Sequence, residues 1–315
     1  MKKIYDSIED MVGHTPLLRL NKLKKLFALN ADILAKCEFY NPIFSVKDRV
    51  AINMINKAPF SKINKDTIFI EATSGNTGAA LAAFCAARGY KLIIVMPENM
   101  TAEKIALIRQ FGAEVMLTPA TEGMAGAIKK VAILKERSDN IIEFKQFENP
   151  ANVEAHKLTT GVEILEDTDG AVDAIVCGVG TSGTLTGVAS TLRTVNPDLY
   201  VMAVEPAESP VLAGGEKGAH QIGGIGAGFI PPLYDASLVN EIFHVTSKEA
   251  LEMTQTVARN EGLPVGVSAA AALCAAVNLA KRPEMAGKNI VVVLPDSVER
   301  YLSNPFYKHK EPLEE

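Results

Sequence analysis

Apolar residues fall along the chain in short runs separated by turn signals, and two kinds of run alternate. Short, nearly continuous apolar runs occur at 33–38, 67–71, 92–96, 114–117, 141–144, 172–177, 200–205 and 289–294. Such runs predict strands buried on both faces, as in a parallel sheet. Longer runs with helical spacing or alanine-rich content occupy 47–57, 77–88, 101–111, 123–137, 149–166, 183–195, 247–261 and 268–280. Thr101 is placed to cap its helix, with Glu103 in the first turn. Pro42 biases itself and its predecessor away from helix, so 41–49 reads as a turn feeding the helix that Lys47 opens. Strand–helix alternation of this kind predicts an α/β fold with parallel sheets covered by helices on both faces. Residues 144–150 read as a domain boundary, dividing 1–145 from 146–315. The Gly/Pro-rich stretch at 206–232 is too long for a mere connection and reads as functional.

Composition narrows the class. A chain of 315 residues, 48% hydrophobic, can bury the core of two domains or one large α/β unit. The net charge of −5, from 32 basic and 37 acidic residues without a basic block, points away from nucleic acid. The longest apolar run, 79–87, is too short to span a membrane. Lys2 and Lys3 have no apolar stretch behind them, so no signal peptide is read there. Cys37, Cys85, Cys177 and Cys274 are scattered and form no CxxC pair, and the five histidines show no ligand spacing. Neither a metal site nor a disulfide framework is expected, and a reduced cytoplasm fits.

Three loops carry candidate chemistry. Lys47, at the mouth of its helix, reads either as a solvated charge or as a Schiff-base lysine that carries pyridoxal phosphate. Glu71-Ala72-Thr73-Ser74-Gly75-Asn76-Thr77-Gly78 joins a strand to a helix. Backbone amides and the helix dipole at such a turn attract anions, and Thr73, Ser74 and Thr77 add hydroxyls. A carboxylate or a phosphate would suit it; helix capping is the plainer alternative. Gly178-Val179-Gly180-Thr181-Ser182-Gly183-Thr184 follows the 172–177 strand and matches G-x-G-x-x-G. That pattern admits a dinucleotide site, with Glu205 as the ribose acid, and hence a dehydrogenase. The hydroxyls of Thr181, Ser182 and Thr184 favour a monophosphate instead. Ser268, before an alanine-rich helix, reads by itself as an N-cap.

Taken together these residues resemble the cysteine synthase (O-acetylserine sulfhydrylase) family of fold-type II pyridoxal-phosphate enzymes. The likeness runs over about 6–303 and rests on Ser45-Val46-Lys47-Asp48-Arg49, the 73–78 loop, Gln146-Phe147 with Asn149-Pro150-Ala151-Asn152, and 178–187. It continues through Val204-Glu205-Pro206, Ser209-Pro210-Val211-Leu212, 223–231, Pro295-Asp296-Ser297 and Glu299-Arg300-Tyr301-Leu302-Ser303. The resemblance implies two domains, each with a mainly parallel twisted sheet flanked by helices, as in the tryptophan synthase β fold. Residues from about 13 to 35 would cross to the other domain. It also implies pyridoxal phosphate held as an aldimine on Lys47, with Asn76 on the ring's 3-hydroxyl oxygen. Gly180, Thr181, Ser182, Gly183 and Thr184 would hold the phosphate, and Ser268 the ring nitrogen. Thr73, Ser74, Gly75, Thr77 and Gln146 would bind the substrate carboxylate, and Gly224 would border the substrate amine.

The implied reaction replaces the acetate of O-acetyl-L-serine by sulfide to give L-cysteine, with Lys47 as the proton carrier. The implied alternatives are a related β-replacement or β-elimination: cystathionine β-synthase-like, cysteine desulfhydrase or lanthionine-forming. The implied partners are a second copy of the chain and the isoleucine-ended C-terminal tail of serine acetyltransferase. The chain departs from the family pattern at Ala269-Ala270, where Ser-Gly is usual, and at Val298 and Ser182, where glycine is common.

Overall fold

The structure is a computed structural model and describes residues 4–59, 61, 63–73 and 75–307. Two sheets carry it. The larger is six-stranded, in the order β1 (Leu17–Arg19), β2 (Asp32–Cys37), β10 (Asn289–Leu294), β7 (Ala174–Gly178), β8 (Tyr200–Pro206) and β9 (Glu241–Val245). The smaller runs β5 (Glu114–Thr118), β4 (Lys91–Pro97), β3 (Ile68–Ala72) and β6 (Ile141–Glu143). Every pairing is parallel except β1 with β2. The fold is the expected α/β arrangement of parallel-dominated sheets flanked by helices.

Why the strands are apolar throughout is visible in the packing. Along β10, Ile290, Val292 and Leu294 face a core built with α9 (Ser247–Glu261) and α10 (Val267–Ala280). Val291 and Val293 face the opposite core, with Ile164 of α7 (Gly161–Asp167) and Leu185 and Val188 of α8 (Gly183–Leu192). A strand with two dry faces cannot alternate with polar residues. The smaller sheet behaves alike: Phe69, Leu92, Ile94 and Met96 meet α2 (Lys47–Asn56) and α3 (Asn76–Ala87). Ile70, Ile93 and Val95 meet α5 (Gly123–Glu136).

Three expectations need correction. The continuous helix over 149–166 is instead α6 (Pro150–Ala155), a π turn at His156–Thr160, and α7. Within that turn Lys157 O accepts a hydrogen bond from Thr191 Oγ1 of α8 at 2.7 Å. That is a tertiary partner no periodicity can announce. Thr101 stands at the N-cap of α4 (Ala102–Gln110), but its side chain makes no cap hydrogen bond. The strands β1 and β9 and the helix α1 (Asn21–Leu26) lay outside the expected elements. They are short or end strands with polar positions, so the continuous-apolar signal fails there. The stretch 207–235 is without helix or strand, as expected of a functional loop.

Candidate active site

One cleft of about 410 Å³ collects most of the predicted residues. Lys47, Thr73, Gly75, Asn76, Thr77, Gln146, Gly180, Thr181, Ser182, Thr184, Gly224 and Ser268 all line it. Ser74 lies outside the described residues. Gly183 is not in the wall: a Cβ there would sit 1.9 Å from Asn152 Oδ1, so its lack of a side chain serves close packing behind the loop.

Lys47 is the first residue of α2 and is half-buried. Among the described residues its amine makes no hydrogen bond or ion pair. Burial lowers the Lys47 ammonium pKa, against the opposing pull of Asp296 and Glu38. A lysine in that state is more readily the free amine, the form that attacks a carbonyl or takes a proton.

The helix is fixed two residues on. Arg49 is buried and donates from Nε and Nη2 to Glu38 at 2.7 and 2.9 Å, and from Nη1 and Nη2 to Glu163 at 2.6 and 2.7 Å. Lys36 Nζ adds an ion pair to Glu163 at 2.9 Å. Burial would raise the Glu163 carboxyl, but the hydrogen bonds and charge of Arg49, with Lys36, bring it down to about 2. Two buried carboxylates from β2's end and α7 thus grip the helix that presents Lys47.

Opposite stands the glycine loop. Ser182, at φ +70°, is the N-cap of α8 and makes no side-chain cap hydrogen bond. The left-handed region costs a non-glycine residue about 1–2 kcal/mol, which explains why glycine is usual there. The Ser182 hydroxyl instead meets Thr186 Oγ1 at 3.2 Å. The helix end lacks a Ser182 side-chain cap, although the Gly183 amide donates to Thr181 Oγ1 at 3.4 Å and Thr184 Oγ1 lies 3.2 Å from His156 Nε2; with the hydroxyls of Thr181 and Thr184 such an end suits an anion. Gly180 admits no side chain, because a Cβ would meet Gly224 O at 2.4 Å. Gly224, at φ +98°, closes that side next to Ser268. The rival dinucleotide reading fails here. Glu205 spends its carboxylate on Leu212 N and Ala213 N at 2.8 and 3.1 Å, pinning the 207–235 loop rather than facing the cleft.

The third wall is the 73–78 turn. Thr77 Oγ1 donates to Gln146 Oε1 at 2.7 Å, joining α3 to the segment after β6. Asn76 donates from Nδ2 to Asp296 Oδ2 at 2.7 Å and accepts from Arg300 Nη1 at 3.0 Å. Tyr301 OH donates to the same Asp296 oxygen at 2.5 Å. Sequence reasoning gave Asp296, Arg300 and Tyr301 no role beyond carrying a likeness, yet they set the orientation of Asn76. Asn152 was likewise only a marker. Its Nδ2 bonds both Gln146 O, at 2.8 Å, and Thr181 Oγ1, at 2.9 Å, and so ties the turn side of the cleft to the glycine loop. Nothing but the motif surrounding each residue could have signalled these roles. Ala269 and Ala270 are wholly buried in α10 and do not line the cleft, so that departure changes packing behind Ser268.

A family model described as pyridoxal-phosphate dependent enzyme matches residues 8–296. The chain belongs to that family. It is 46% identical over 308 residues to the cysteine synthase of Staphylococcus aureus (strain N315), covering 97% of this chain and 98% of that one. The crystal structure of cysteine synthase from Entamoeba histolytica superposes with a TM-score of 0.94 at 42% identity, over 99% of this chain and 94% of that one. The O-acetylserine dependent cystathionine beta-synthase from Helicobacter pylori superposes with a TM-score of 0.91 at 36% identity, over 97% and 100% of the two chains.

The residues of this pyridoxal-phosphate enzyme fit the cofactor on their own chemistry. The cleft offers an amine at Lys47 that is unpaired among the described residues and a helix end without a Ser182 side-chain cap, flanked by hydroxyls. Ser268 adds an Oγ that has no hydrogen bond among the described residues. Amine, anion site and ring-edge donor are what an aldehyde phosphate with a pyridine ring requires.

Glu71, behind the turn, yields a pH prediction. It is buried, its Oε1 accepts from Gln146 N at 3.4 Å, and its Oε2 is without a partner among the described residues. Burial, chiefly, pushes its carboxyl up to about 8 from an ordinary 4.5. A raised carboxyl stabilises below the unfolded value and loses that contribution as pH rises through the folded one. Glu71→Gln should therefore melt at a temperature that gains on the wild type between about pH 5 and pH 9, by a few °C. An offset constant with pH would contradict the buried, raised carboxyl.

Proposed function

We propose that the protein replaces the acetate of O-acetyl-L-serine by sulfide and releases L-cysteine. The observation that carries this reading is the meeting of an unpaired lysine, an anion loop and a hydroxyl-rich turn in one cleft. Full-length similarity to cysteine synthases supports it. In this reading Lys47 holds the cofactor, Gly180, Thr181, Ser182 and Thr184 cradle its phosphate, and Gly183 lets the loop pack closely. Asn76 and Ser268 fix the ring edge. Bound pyridoxal phosphate supplies an electron sink for the bonds at the substrate Cα.

The protein's own groups do the rest. Thr73, Ser74, Gly75, Thr77 and Gln146 bind the substrate carboxylate, and Gly224 borders its amine. Lys47 Nζ takes the proton from Cα and returns it after sulfur has bonded to Cβ. Hydrogen bonds drawn to the carboxylate pull the turn toward the glycine loop, which excludes water from the reacting carbon. The parts divide between domains at 1–145 and 146–315, with 13–35 crossing to the second; that β1 and β2 lie in the larger sheet supports the crossing. Incubating the holoenzyme and sulfide with O-acetylserine, O-phosphoserine or serine tests the reaction. Cysteine should form fastest from O-acetylserine; none from any donor would overturn it.

Ser268 gives a graded test. A serine at the ring nitrogen adds one hydrogen bond, worth about 0.5–1.5 kcal/mol. Ser268→Ala should loosen the cofactor by up to about tenfold and keep acetate release. Ser268→Asp should slow the half-reaction more, by holding the ring nitrogen protonated. Half-reaction rates equal to wild type in both variants would remove Ser268 from the ring edge.

Partners complete the proposal. A homodimer is supported by the exposed Ile4, Met11, Leu18 and Leu26 near the N-terminal strand, and sedimentation at micromolar concentration tests it. Cytoplasmic residence is supported by four free cysteines, with the Cys37 and Cys85 thiols pushed up to about 12 by burial. The carboxylate turn also suits the free end of a flexible peptide, such as the isoleucine-ended tail of serine acetyltransferase. Such a peptide should compete with O-acetylserine, and amidating its end should weaken binding by at least about tenfold, because charge-assisted hydrogen bonds are lost. Equal affinity of the free and amidated peptides would exclude this mode.

A further inference from the structure

A buried carboxyl stands behind the substrate turn, and the proposed chemistry leaves it unused. Glu71 lies on β3, two residues before Thr73, and its polar contacts come from one segment. Gln146 N donates to its Oε1 at 3.4 Å, and the Lys145 amide and the Gln146 side chain also favour its ionised form. Its Oε2 is buried without a partner among the described residues. Lys145 is at φ +57°, a left-handed conformation that costs a lysine strain. Two successive amides facing one carboxyl form a nest for a negative charge. Gln146 is shared between this nest and the cleft. Its carbonyl accepts from Asn152 Nδ2 at 2.8 Å, and its Oε1 accepts from Thr77 Oγ1 at 2.7 Å. That orientation shows the turn an oxygen, whereas a carboxylate needs an N–H. The other charges are few or engaged. Glu143 on β6 repels Glu71 and is itself tied to Lys135 of α5 at 2.7 Å. Lys145 Nζ is paired with Glu148, and α3 contains no acidic or basic residue. The one charged residue of β4, Lys91, is at the strand's other end, opposite Ile68. On α2, Lys47 lines the cleft, Asp48 holds Ile43 N, and Arg49 holds Glu38 and Glu163. Lys104 of α4, which also lines the cleft, lies over the Tyr301 ring at 5.6 Å.

We propose that Glu71 is a positioning residue that couples binding of the substrate carboxylate to uptake of a proton, by releasing the Gln146 side chain to the cleft when its own carboxyl is neutral. This inference rests on the reading of Gln146 and the 73–77 turn as the carboxylate site. Ionised Glu71 draws the Gln146 amino group toward itself and repels a second carboxylate arriving beside it; neutral Glu71 does neither. Burial, the largest influence, pushes the Glu71 carboxyl up to about 8. The proton comes from solvent, lands on the unpartnered oxygen, and returns to solvent when the amino acid leaves. By linkage, a bound carboxylate that tightens the hold of Glu71 on its proton is itself held tighter by the same factor when Glu71 is protonated. Binding is therefore at full strength below the free-state value and weakens as pH rises through it.

The test is titration calorimetry of the holoenzyme with L-alanine, which has no leaving group on Cβ. Buffers of different ionisation enthalpy count the protons taken up, and L-alaninamide, which lacks the carboxylate, is the control. At pH 8, where the Glu71 carboxyl is about half ionised, wild type should take up about 0.4 proton more with alanine than Glu71→Gln does. At pH 6 the two should match. The wild-type Kd for alanine, divided by that of Glu71→Gln, should rise about fivefold from pH 7 to pH 9. Equal proton counts at pH 8, or a Kd ratio flat with pH, would overturn the proposal; a carboxyl that only braces the fold gives that result. If Glu71→Gln did not fold, the wild type alone would decide. Corrected for ionisation of the two free amines, its excess uptake with alanine over alaninamide should peak near pH 8 and vanish at pH 6, and a flat excess would overturn the proposal. Equal affinity for alanine and alaninamide would bring down the carboxylate reading of the turn and the proposal with it. Preference for alanine without the proton excess would bring down the proposal alone.

Discussion

Lys47→Ala is expected to lose β-replacement by at least about a thousandfold and to lose firmly held cofactor with it. Proton transfer by a positioned side chain contributes about 10²–10⁴ in rate, and here the same amine also carries the covalent link. The loss should come without unfolding. Lys47 lines the cleft rather than the core, and its amine has no partner among the described residues to leave stranded. Steady-state rates with O-acetylserine and sulfide, beside a melting curve, check both halves. Turnover within tenfold of wild type would contradict the assignment of Lys47. Loss of activity together with loss of the fold would show a structural residue instead.

Arg49→Ala is expected to act in the opposite way, through stability. It would leave Glu38 and Glu163 buried without the guanidinium that satisfies both. Breaking one side of a buried ion pair costs about 3–5 kcal/mol, a large part of a protein's whole stability. The urea midpoint should fall accordingly with little change in slope. The pH dependence should also reverse. In the wild type Glu163, held at about 2, contributes stability that is present above its ordinary value near 4.5 and lost as pH falls toward the folded value. Without Arg49, chiefly Lys36 and the Thr15 hydroxyl still oppose burial, so both carboxyls should rise and the variant should gain stability as pH drops from about 7 to 5. An unfolding free energy within about 1 kcal/mol of wild type at pH 7 would mean that this network contributes little to anchoring α2.

What the sequence disclosed follows a physical line. The strands of the two sheets were legible because both faces are dry, as with Ile290, Val291, Val292, Val293 and Leu294, where no polar residue breaks the run. The three-residue β1 and the end strand β9 lack that condition. The loops of the site were legible because a strand–turn–helix junction needs glycine and hydroxyls to meet an anion, and those residues are contiguous. Clamps between distant segments were not. Asn152 reaches Thr181, Asn76 reaches Asp296, and Arg49 reaches Glu163, across 29, 220 and 114 residues. Local pattern carries no information at those separations. The same distance hid the π turn, where the Lys157 carbonyl accepts from Thr191 across 34 residues. Ser182 shows a further limit. It reads as an added hydroxyl, whereas the backbone places it in a strained left-handed cap and turns its oxygen toward Thr186.

Borohydride reduction of the holoenzyme, followed by proteolysis and mass analysis, tests the central claim most directly. The account predicts that a violet-region absorption band disappears on reduction and that the pyridoxyl mass is found on the peptide containing Lys47 and on no other. The mass on the peptide containing Lys104, or no bound pyridoxyl group on any peptide, would contradict it.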